Sequence, residues 1–284
     1  MRDEEVRAKA RKLRDLVEVV AASVYFLPEA HAAYAELGLP EFGPPYFASR
    51  GACMGQVPGE VITAAFGVFN PVTVIPAVDE AWSKTDRDTI LAAREKGAVD
   101  GLTRLLGPSP DGLARATEVL TRAGLEATGE GRGLYSGLLS LGFPGSPMGD
   151  FWRAADLVRE HRGDSHIIAW VSHGLDPIQA NLSTELWWHL PLRSYVRTRG
   201  WSEQQIDAAV DDLRDRGLME GDEFTAKGEE LRAEIELCTD LQERSIVKTL
   251  ADDFEELCMI LTPMKDKLVA GFAYPVDPTT MTRP

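Results

Sequence analysis

Residues 192–235 read LRSYVRTRGWSEQQIDAAVDDLRDRGLMEGDEFTAKGEELRAEI, and this stretch organises the rest of the chain. Leu192 and Val196 belong to an apolar stripe that predicts a helix, and Ser202 is suited to cap a second helix. Gly217 ends that second helix, because glycine is favoured just past a helix C-terminus. A short hairpin and a third helix follow. Helix, turn, helix, hairpin and helix is the order of a winged helix.

Two short segments of this stretch match a known pattern. Residues 213–218 read LRDRGL and residues 224–228 read FTAKG, which are similar to the LxxRGL and LTxxG segments of MarR-type regulators. The stretch therefore resembles the DNA-binding core of that family. The resemblance implies a mainly α fold with a C-terminal MarR-like winged helix that carries a minimal β-hairpin wing.

The charge of the second predicted helix argues against DNA reading. Residues 202–216 contain five acidic and two basic side chains. A helix in the major groove approaches two phosphate strands, and its affinity comes mainly from Lys and Arg. We therefore expect a winged helix that has lost DNA reading and serves as a packing module, and we do not expect nucleic acid as a partner.

The composition excludes several classes of protein. The chain has 284 residues, 44% of them hydrophobic, and its formal net charge of −15 disfavours nucleic acid and anionic membranes as partners. Its three cysteines have neither the spacing of a metal site nor an even number for disulfides, which is typical of a reducing compartment. The sequence shows no signal peptide and no apolar run of membrane-spanning length. We expect a cytoplasmic protein.

Apolar residues recur at helical spacing along most of the chain. Residues 4–26, 87–106 and 231–260 are predicted to be long helices, the last of them kinked. The segment PSPDG, residues 108–112, follows the second of these helices and is the best candidate for a domain boundary. It separates an N-terminal helical domain, 1–108, from residues 109–284, which hold the central helices, the winged helix and the long C-terminal helix, intimately packed against the first part.

The densest polar cluster is REHRGDSH, residues 159–166, which holds two of the five histidines. His161 and His166 are candidate acid–base groups, because one histidine with a pKa near neutral suffices for that role. Asp164 is the third candidate catalytic residue, and it is also suited to cap a helix after a break at Gly163. Hydrogen-bonded residues at helix ends, without a catalytic role, are the alternative interpretation.

A metal site is not predicted from this cluster. On an unbroken helix the side chains of His161 and His166 would point about 140° apart. His166 and His173 share a face but are separated by about 10 Å along the axis, which is too far for one ion.

Aromatic and cationic residues supply candidate ligand contacts. Arg50 is the candidate anchor for an anionic group, and Arg162 is a second cation beside the histidines. The other candidate ligand-binding residues are Phe47, Asn70, Trp152 and Trp170. A small-molecule site is usually an apolar pocket with a few polar groups. We expect Arg50 and residues 161–166 to face one another across a pocket between the N-terminal and central helices.

The whole chain is similar to a poorly characterised bacterial helix-turn-helix family of about this length. The matching segments include YFASRGA (46–52), FNP (69–71), REHRGDSH (159–166) and TRGW (198–201). The resemblance implies a winged-helix fold in one integrated architecture. It implies little about activity, and it identifies no cofactor.

These features predict a small-molecule-binding protein, with a leaning towards an enzyme that uses histidine acid–base chemistry. The sequence names neither the reaction nor a cofactor. A ligand-responsive MarR-like transcriptional regulator is the first alternative, with Arg193, Arg197 and Arg199 on DNA phosphates. The second is a non-catalytic dimerising partner, because long terminal helices often mediate pairing, and a homodimer is expected there.

Overall fold

The computed structural model describes residues 1–275 and residue 278. These residues are mainly helical, which confirms the mainly α part of the predicted fold class. The helices up to the centre of the chain are α1 (Asp3–Ala22), α2 (Pro28–Glu36), α3 (Pro44–Gly51), α4 (Gly59–Phe66), α5 (Pro71–Lys84), α6 (Arg87–Leu106), α7 (Leu113–Leu125) and α8 (Gly133–Leu141). The remaining helices are α9 (Pro147–Ser172), α10 (Pro177–Trp187), α11 (Glu203–Asp215), α12 (Ala226–Gln242), α13 (Arg244–Leu250) and α14 (Phe254–Ala270). Strands β1 (Met219–Glu220) and β2 (Glu223–Phe224) form an antiparallel hairpin.

Helix α9 runs through the middle of the structure and packs against α1, α6, α7, α8 and α12. Ser146 caps its start by accepting a hydrogen bond from the backbone N–H of Gly149. The helix is buried on nearly every side, although it carries many charged residues. Each buried charge needs a partner, because an unpaired one is costly in a low-dielectric interior. This requirement shapes the site described below.

The predicted break at Gly163 does not occur, since α9 continues through it. Asp164 therefore does not cap a helix that begins at its own position. Its carboxylate accepts the backbone N–H of Tyr135 at 3.0 Å, at the start of α8. That partner lies 29 positions away, so the local sequence gave no sign of it.

The predicted helix over 231–260 is also wrong as a single element. It is divided into α12, α13 and α14, with a break at Ala251, whose φ is 37°. One core cluster joins buried residues of α1, α2 and α6 with others from α7, α9, α13 and α14, so it includes both sides of residue 108. The division at residue 108 stays a prediction.

The region predicted to be a winged helix contains α10, a turn, α11, the β1–β2 hairpin and α12. Ser202 caps α11 in a capping box with Gln205, as the sequence predicts, and Gly217 follows the helix with a φ of 68°. The expected helix around residues 192–199 is instead a turn that ends in a 3₁₀ helix, Val196–Arg199. The buried carboxylate of Glu185 accepts the backbone N–H groups of Arg193, Tyr195 and Val196, which holds this turn in place of helical hydrogen bonds.

One stretch, Asp3–Glu36, is long and apolar enough by length and composition to cross a membrane, contrary to the expectation from the sequence. In the structure it is not one helix, because α1 ends at Ala22 and Pro28 starts α2. Many of its apolar side chains lie in the main core cluster. Packing inside the chain therefore accounts for its hydropathy.

Candidate functional site

A cavity of about 650 Å³ lies between α1, α3, α9, α10 and α12. The segment after α4, the turn before α11 and the end of the described chain at Tyr274, Pro275 and Pro278 complete its lining. Arg50 of α3 and His166 of α9 both line it. A volume of this size is in the range of small-molecule sites.

Aromatic rings form much of the cavity wall. They are Tyr46, Phe66, Phe69, Trp170, Trp188, Tyr195 and Tyr274. The Tyr46 ring lies 5.9 Å from that of Phe66 and 5.7 Å from that of Phe69, centroid to centroid. Edge contacts between rings add about 0.5–1.5 kcal/mol each beyond the burial of their area. They give the cavity a preformed apolar side.

The charged lining is unusually rich in arginine. Its cations are Arg14, Arg50, Arg159, Arg162, Arg199 and Arg232, and its carboxylates are Asp15, Glu18, Glu236 and Glu243. Two further carboxylates lie just behind the lining, since Glu160 pairs with Arg50 and Asp240 with Arg162, so six guanidinium groups face six carboxylates. The cavity is therefore close to neutral, in a chain whose formal net charge is −15.

Most of these arginines are held by carboxylates. Arg50 donates through Nε and Nη2 to both oxygens of Glu160 at 2.8 and 2.7 Å, and Arg159 donates to the same carboxylate at 2.6 Å. Burial raises the pKa of Glu160, but the two guanidinium groups outweigh it, so the pKa lies below its ordinary value. Arg50, the predicted anion anchor, already has an anion inside the protein.

A second group of arginines surrounds Glu236. Arg232 lies 2.7 Å from its carboxylate, Arg162 at 3.6 Å and Arg14 at 3.8 Å, while Arg162 also reaches Asp240 at 2.9 Å. Burial raises the pKa of Glu236, yet the nearby cations hold it well below its usual range. Here too the cations and anions are close to balance.

Arg199 is different. No carboxylate of the described chain lies within ion-pair distance of it, and its Nε is buried without a hydrogen-bond partner. Its guanidinium instead lies 4.0 Å from the ring centroid of Tyr195 and 4.7 Å from that of Phe69. Cation–π contacts orient the group, and its Nη groups, which make no hydrogen bond within the described residues and are not fully buried, stay available to an anion.

His166 presents a neutral imidazole to the cavity. Its Nδ1 lies 3.1 Å from the hydroxyl of Thr239, and that hydroxyl donates to the carbonyl of Ile235 at 2.7 Å. Because the hydroxyl proton is used, we assign the Nδ1 proton as the donor to Thr239, which leaves a lone pair on Nε2. Burial and the neighbouring arginines, first Arg232 and then Arg162, lower the pKa of His166 to about 3. The ring is half-buried because its open side faces the cavity.

His161 belongs to a different network beneath the cavity. Its Nδ1 lies 2.8 Å from the Glu243 carboxylate, which also accepts the hydroxyl of Ser165 at 2.9 Å. Arg132 donates to that hydroxyl at 3.1 Å. His161 is fully buried, with its Nε2 unpartnered against the Tyr135 ring, so it does not line the cavity. The two histidines point apart, as an unbroken helix requires.

The remaining predicted site residues divide into two groups. Arg162 and Trp170 line the cavity, whereas Asp164 faces α8, where burial raises its pKa to about 6. Phe47, Asn70 and Trp152 lie outside the lining.

Phe47 and Asn70 support the wall from behind, whereas Trp152 lies in the main core cluster. Phe47 packs 5.0 Å from Phe69, centroid to centroid. Asn70 caps α5 and donates from its amide to the carbonyl of Gly200 at 2.9 Å, which ties the segment after α4 to the turn before α11. Trp152 donates its indole N–H to the carbonyl of Ala21 at 3.2 Å.

Sequence reasoning missed two features of this site. It treated Arg199 only as a phosphate contact, although its aromatic neighbours Tyr195 and Trp201 are a visible signal of an apolar setting. It also missed Glu160 as the partner of Arg50, because 110 positions separate them. No sequence pattern marks that pair.

The outer face of α11 is acidic. Its exposed charged side chains are Glu203, Asp207, Asp211, Asp212, Arg214 and Asp215. The arginines before it are engaged, since Arg193 pairs with Asp207 and Arg197 is bidentate to Glu203. Little positive charge is left on this surface for phosphates.

The described residues hold no group of three or more His, Cys, Asp or Glu side chains placed to bind a metal ion. The cavity thus offers cations, aromatic rings and one histidine lone pair. It suits a flat organic molecule with an anionic group.

The fold defines the class of protein: a mainly helical chain with one small two-stranded hairpin among its described residues. A model of a helix-turn-helix family matches residues 10–275, and the chain belongs to this family. No curated protein and no solved structure matches the chain.

Proposed function

We propose that this chain is a small-molecule-binding protein whose ligand is an organic anion with a flat apolar body. The observation that carries the proposal is the guanidinium of Arg199, which lies against two rings in the cavity and has no ion-pair partner among the described residues. An anionic group would satisfy its donors, and the rings would stack against the ligand body.

Binding is better supported than acid–base catalysis. An imidazole whose pKa is about 3 is a weak base at neutral pH, so His166 is suited to accept a hydrogen bond or a coordination bond rather than to remove a proton. His161 and Asp164, the other candidate catalytic residues, do not reach the cavity. The conclusion is a binding protein, and an enzyme would need a catalytic group brought in by a cofactor or ligand.

The test compares a carboxylate with its neutral isostere. The ligands are 2-naphthoate and 2-naphthamide, titrated against the protein with tryptophan fluorescence as the readout. Charged hydrogen bonds contribute about 1.5–3 kcal/mol, so we expect the carboxylate to bind wild type roughly 10-fold or more tightly than the amide. Equal affinity for the two ligands, or no binding of either, would contradict the proposal.

The matched variants are Arg199→Gln and Arg197→Gln. Arg197 is two positions away but exposed, and its partner is Glu203 on the outer surface. We expect Arg199→Gln to remove the preference for the carboxylate and Arg197→Gln to keep it. A preference that both variants retain would show that another cation holds the anion.

A ligand-responsive DNA-binding regulator is the second candidate, and membership of a helix-turn-helix family favours it. We propose that α10 to α12 and the hairpin form a MarR-like winged helix in which DNA reading has been lost, because α11 is acidic outside and its flanking arginines are paired. Fluorescence anisotropy with DNA from upstream of the gene, at low salt, distinguishes a small-molecule-binding protein from a DNA-binding regulator. Tight, sequence-specific binding would favour the regulator.

A further inference from the structure

One nitrogen in the cavity wall has no role in holding the fold. The Nδ1 of His166 is tied through Thr239 to the carbonyl of Ile235, whereas Nε2 makes no hydrogen bond within the described residues. It is not among the fully buried polar atoms that lack a partner, in contrast to Nε2 of His161. The His166 lone pair is therefore accessible from the cavity.

This arrangement has the features of a metal-binding histidine. Such histidines are neutral, and their other ring nitrogen donates to a fixed acceptor, which sets the tautomer and the ring orientation. Thr239 supplies that acceptor, and its own hydroxyl is fixed by the helix backbone. The His166 ring is therefore held with Nδ1 bonded to Thr239 of α12 and with Nε2 available to a ligand.

The lining cannot bind a free metal ion. No group of three or more potential ligand side chains is present among the described residues. Two carboxylates of the lining are occupied, since Glu236 is surrounded by arginines and Glu243 accepts from His161 and Ser165. A metal at Nε2 would have to bring its other ligands with it.

We propose that the cavity binds a metallo-tetrapyrrole with carboxylate side chains, and that Nε2 of His166 is an axial ligand of its metal. This inference rests on the proposed function and specifies its ligand. A flat macrocycle suits the aromatic walls and a volume of about 650 Å³. Its metal has an open axial position for one imidazole, and its carboxylates match the guanidinium of Arg199. The other five coordination positions need no residue of this chain.

The experiment adds iron(III) protoporphyrin IX to the full-length protein and records absorption spectra. We expect one equivalent to bind, with a shifted Soret band and the spectrum of an imidazole-ligated iron. His166→Ala should lose that spectrum and bind at least about 10-fold more weakly. Metal-free protoporphyrin IX should bind wild type and His166→Ala alike, because no bond to Nε2 is involved.

Two controls separate ligation from folding. His173→Ala changes another histidine near the end of the same helix, outside the lining, and should keep the wild-type spectrum. Added imidazole should restore the ligated spectrum to His166→Ala, which requires an intact cavity. If His166→Ala leaves the iron spectrum unchanged, the inference is overturned.

The failure of this inference is distinguishable from failure of the proposed function. If naphthoate binds with the expected preference over the amide but the iron porphyrin does not bind, the tetrapyrrole is wrong and the anion site stands. If neither binds, the site itself is wrong and the inference falls with it.

Discussion

Replacing Glu160 with glutamine should destabilise the protein strongly, because this carboxylate joins two buried cations. The Glu160 side chain is 1% exposed and accepts from Arg50 at 2.7 and 2.8 Å and from Arg159 at 2.6 Å. Glutamine keeps the shape and one acceptor oxygen, but it removes the negative charge. Its NH₂ group would also face a guanidinium.

The size of the effect follows from burial. Removing one partner of a buried ion pair costs about 3–5 kcal/mol, since the other charge stays behind without compensation. Arg159 keeps Glu18 at 3.0 Å, so the loss falls mainly on Arg50, whose side chain is 11% exposed. We expect a decrease of about 3 kcal/mol in the free energy of unfolding. In a chain of this size that lowers the melting temperature by roughly 5 °C.

Unfolding by urea and by heat, followed by far-UV circular dichroism, measures the change. Glu255→Gln is the control, because its pair with Lys12 is exposed on both sides and should cost less than about 1 kcal/mol. The freed Arg50 guanidinium lines the cavity, so 2-naphthoate should raise the melting temperature of Glu160→Gln more than that of wild type. If Glu160→Gln and Glu255→Gln lose the same small amount, the buried cluster is screened by water and the reasoning fails.

Three further predictions test the fold and the charges. Gly228→Ala should destabilise the hairpin by more than 1 kcal/mol in thermal unfolding, a rough minimum for a backbone clash, since its Cβ would lie 2.1 Å from the carbonyl oxygen of Leu218. Glu185→Gln should cost about 2–3 kcal/mol, as charged hydrogen bonds to three backbone N–H groups are weakened. His166, whose pKa is lowered from 6.5 to about 3, binds a proton less readily folded than unfolded, so its contribution is lost as pH falls below about 6.5. The difference in unfolding free energy between wild type and His166→Gln should therefore change by up to about 1.4 kcal/mol per pH unit over that window. Asp164, whose raised pKa has the opposite effect, is present in both proteins and cancels in the comparison.

Elements with local signals could be predicted from the sequence. Helix α6 begins after Asp86, which accepts the backbone N–H of Thr89 at 2.8 Å, and its bounds agree with the predicted 87–106. Ser202 and Gly217 mark the ends of α11 for equally local reasons. A cap, a periodic apolar face and a glycine stop all lie within a few residues of one another.

Elements that depend on distant partners could not be predicted. The break expected at Gly163 fails because Asp164 has a partner on α8, and the helix expected near residue 195 fails because Glu185 takes its N–H groups. The candidate site shows the same limit. Arg50 and His166 share the cavity, but the assignment of Arg50 as a free anchor depended on not seeing Glu160.

The position of Arg199 also decides how the helix–turn–helix can act. A phosphate-binding role would need Arg193, Arg197 and Arg199 on the outer surface. Freeing the first two costs little, because exposed pairs such as theirs contribute about 0–1 kcal/mol each. Arg199 is more costly to move, because its guanidinium packs against two rings and its backbone carbonyl accepts the N–H of Asn70 at 2.9 Å.

The same turn therefore cannot be a wall of the cavity and a phosphate clamp at once. Withdrawing Arg199 would open the cavity beside Tyr195 and break the tie from Asn70 to Gly200. The acidic face of α11 would still meet the phosphates, and five exposed carboxylates against one exposed arginine repel them. Both terms act in the same direction, and they support the proposal that this region holds a ligand and does not read DNA.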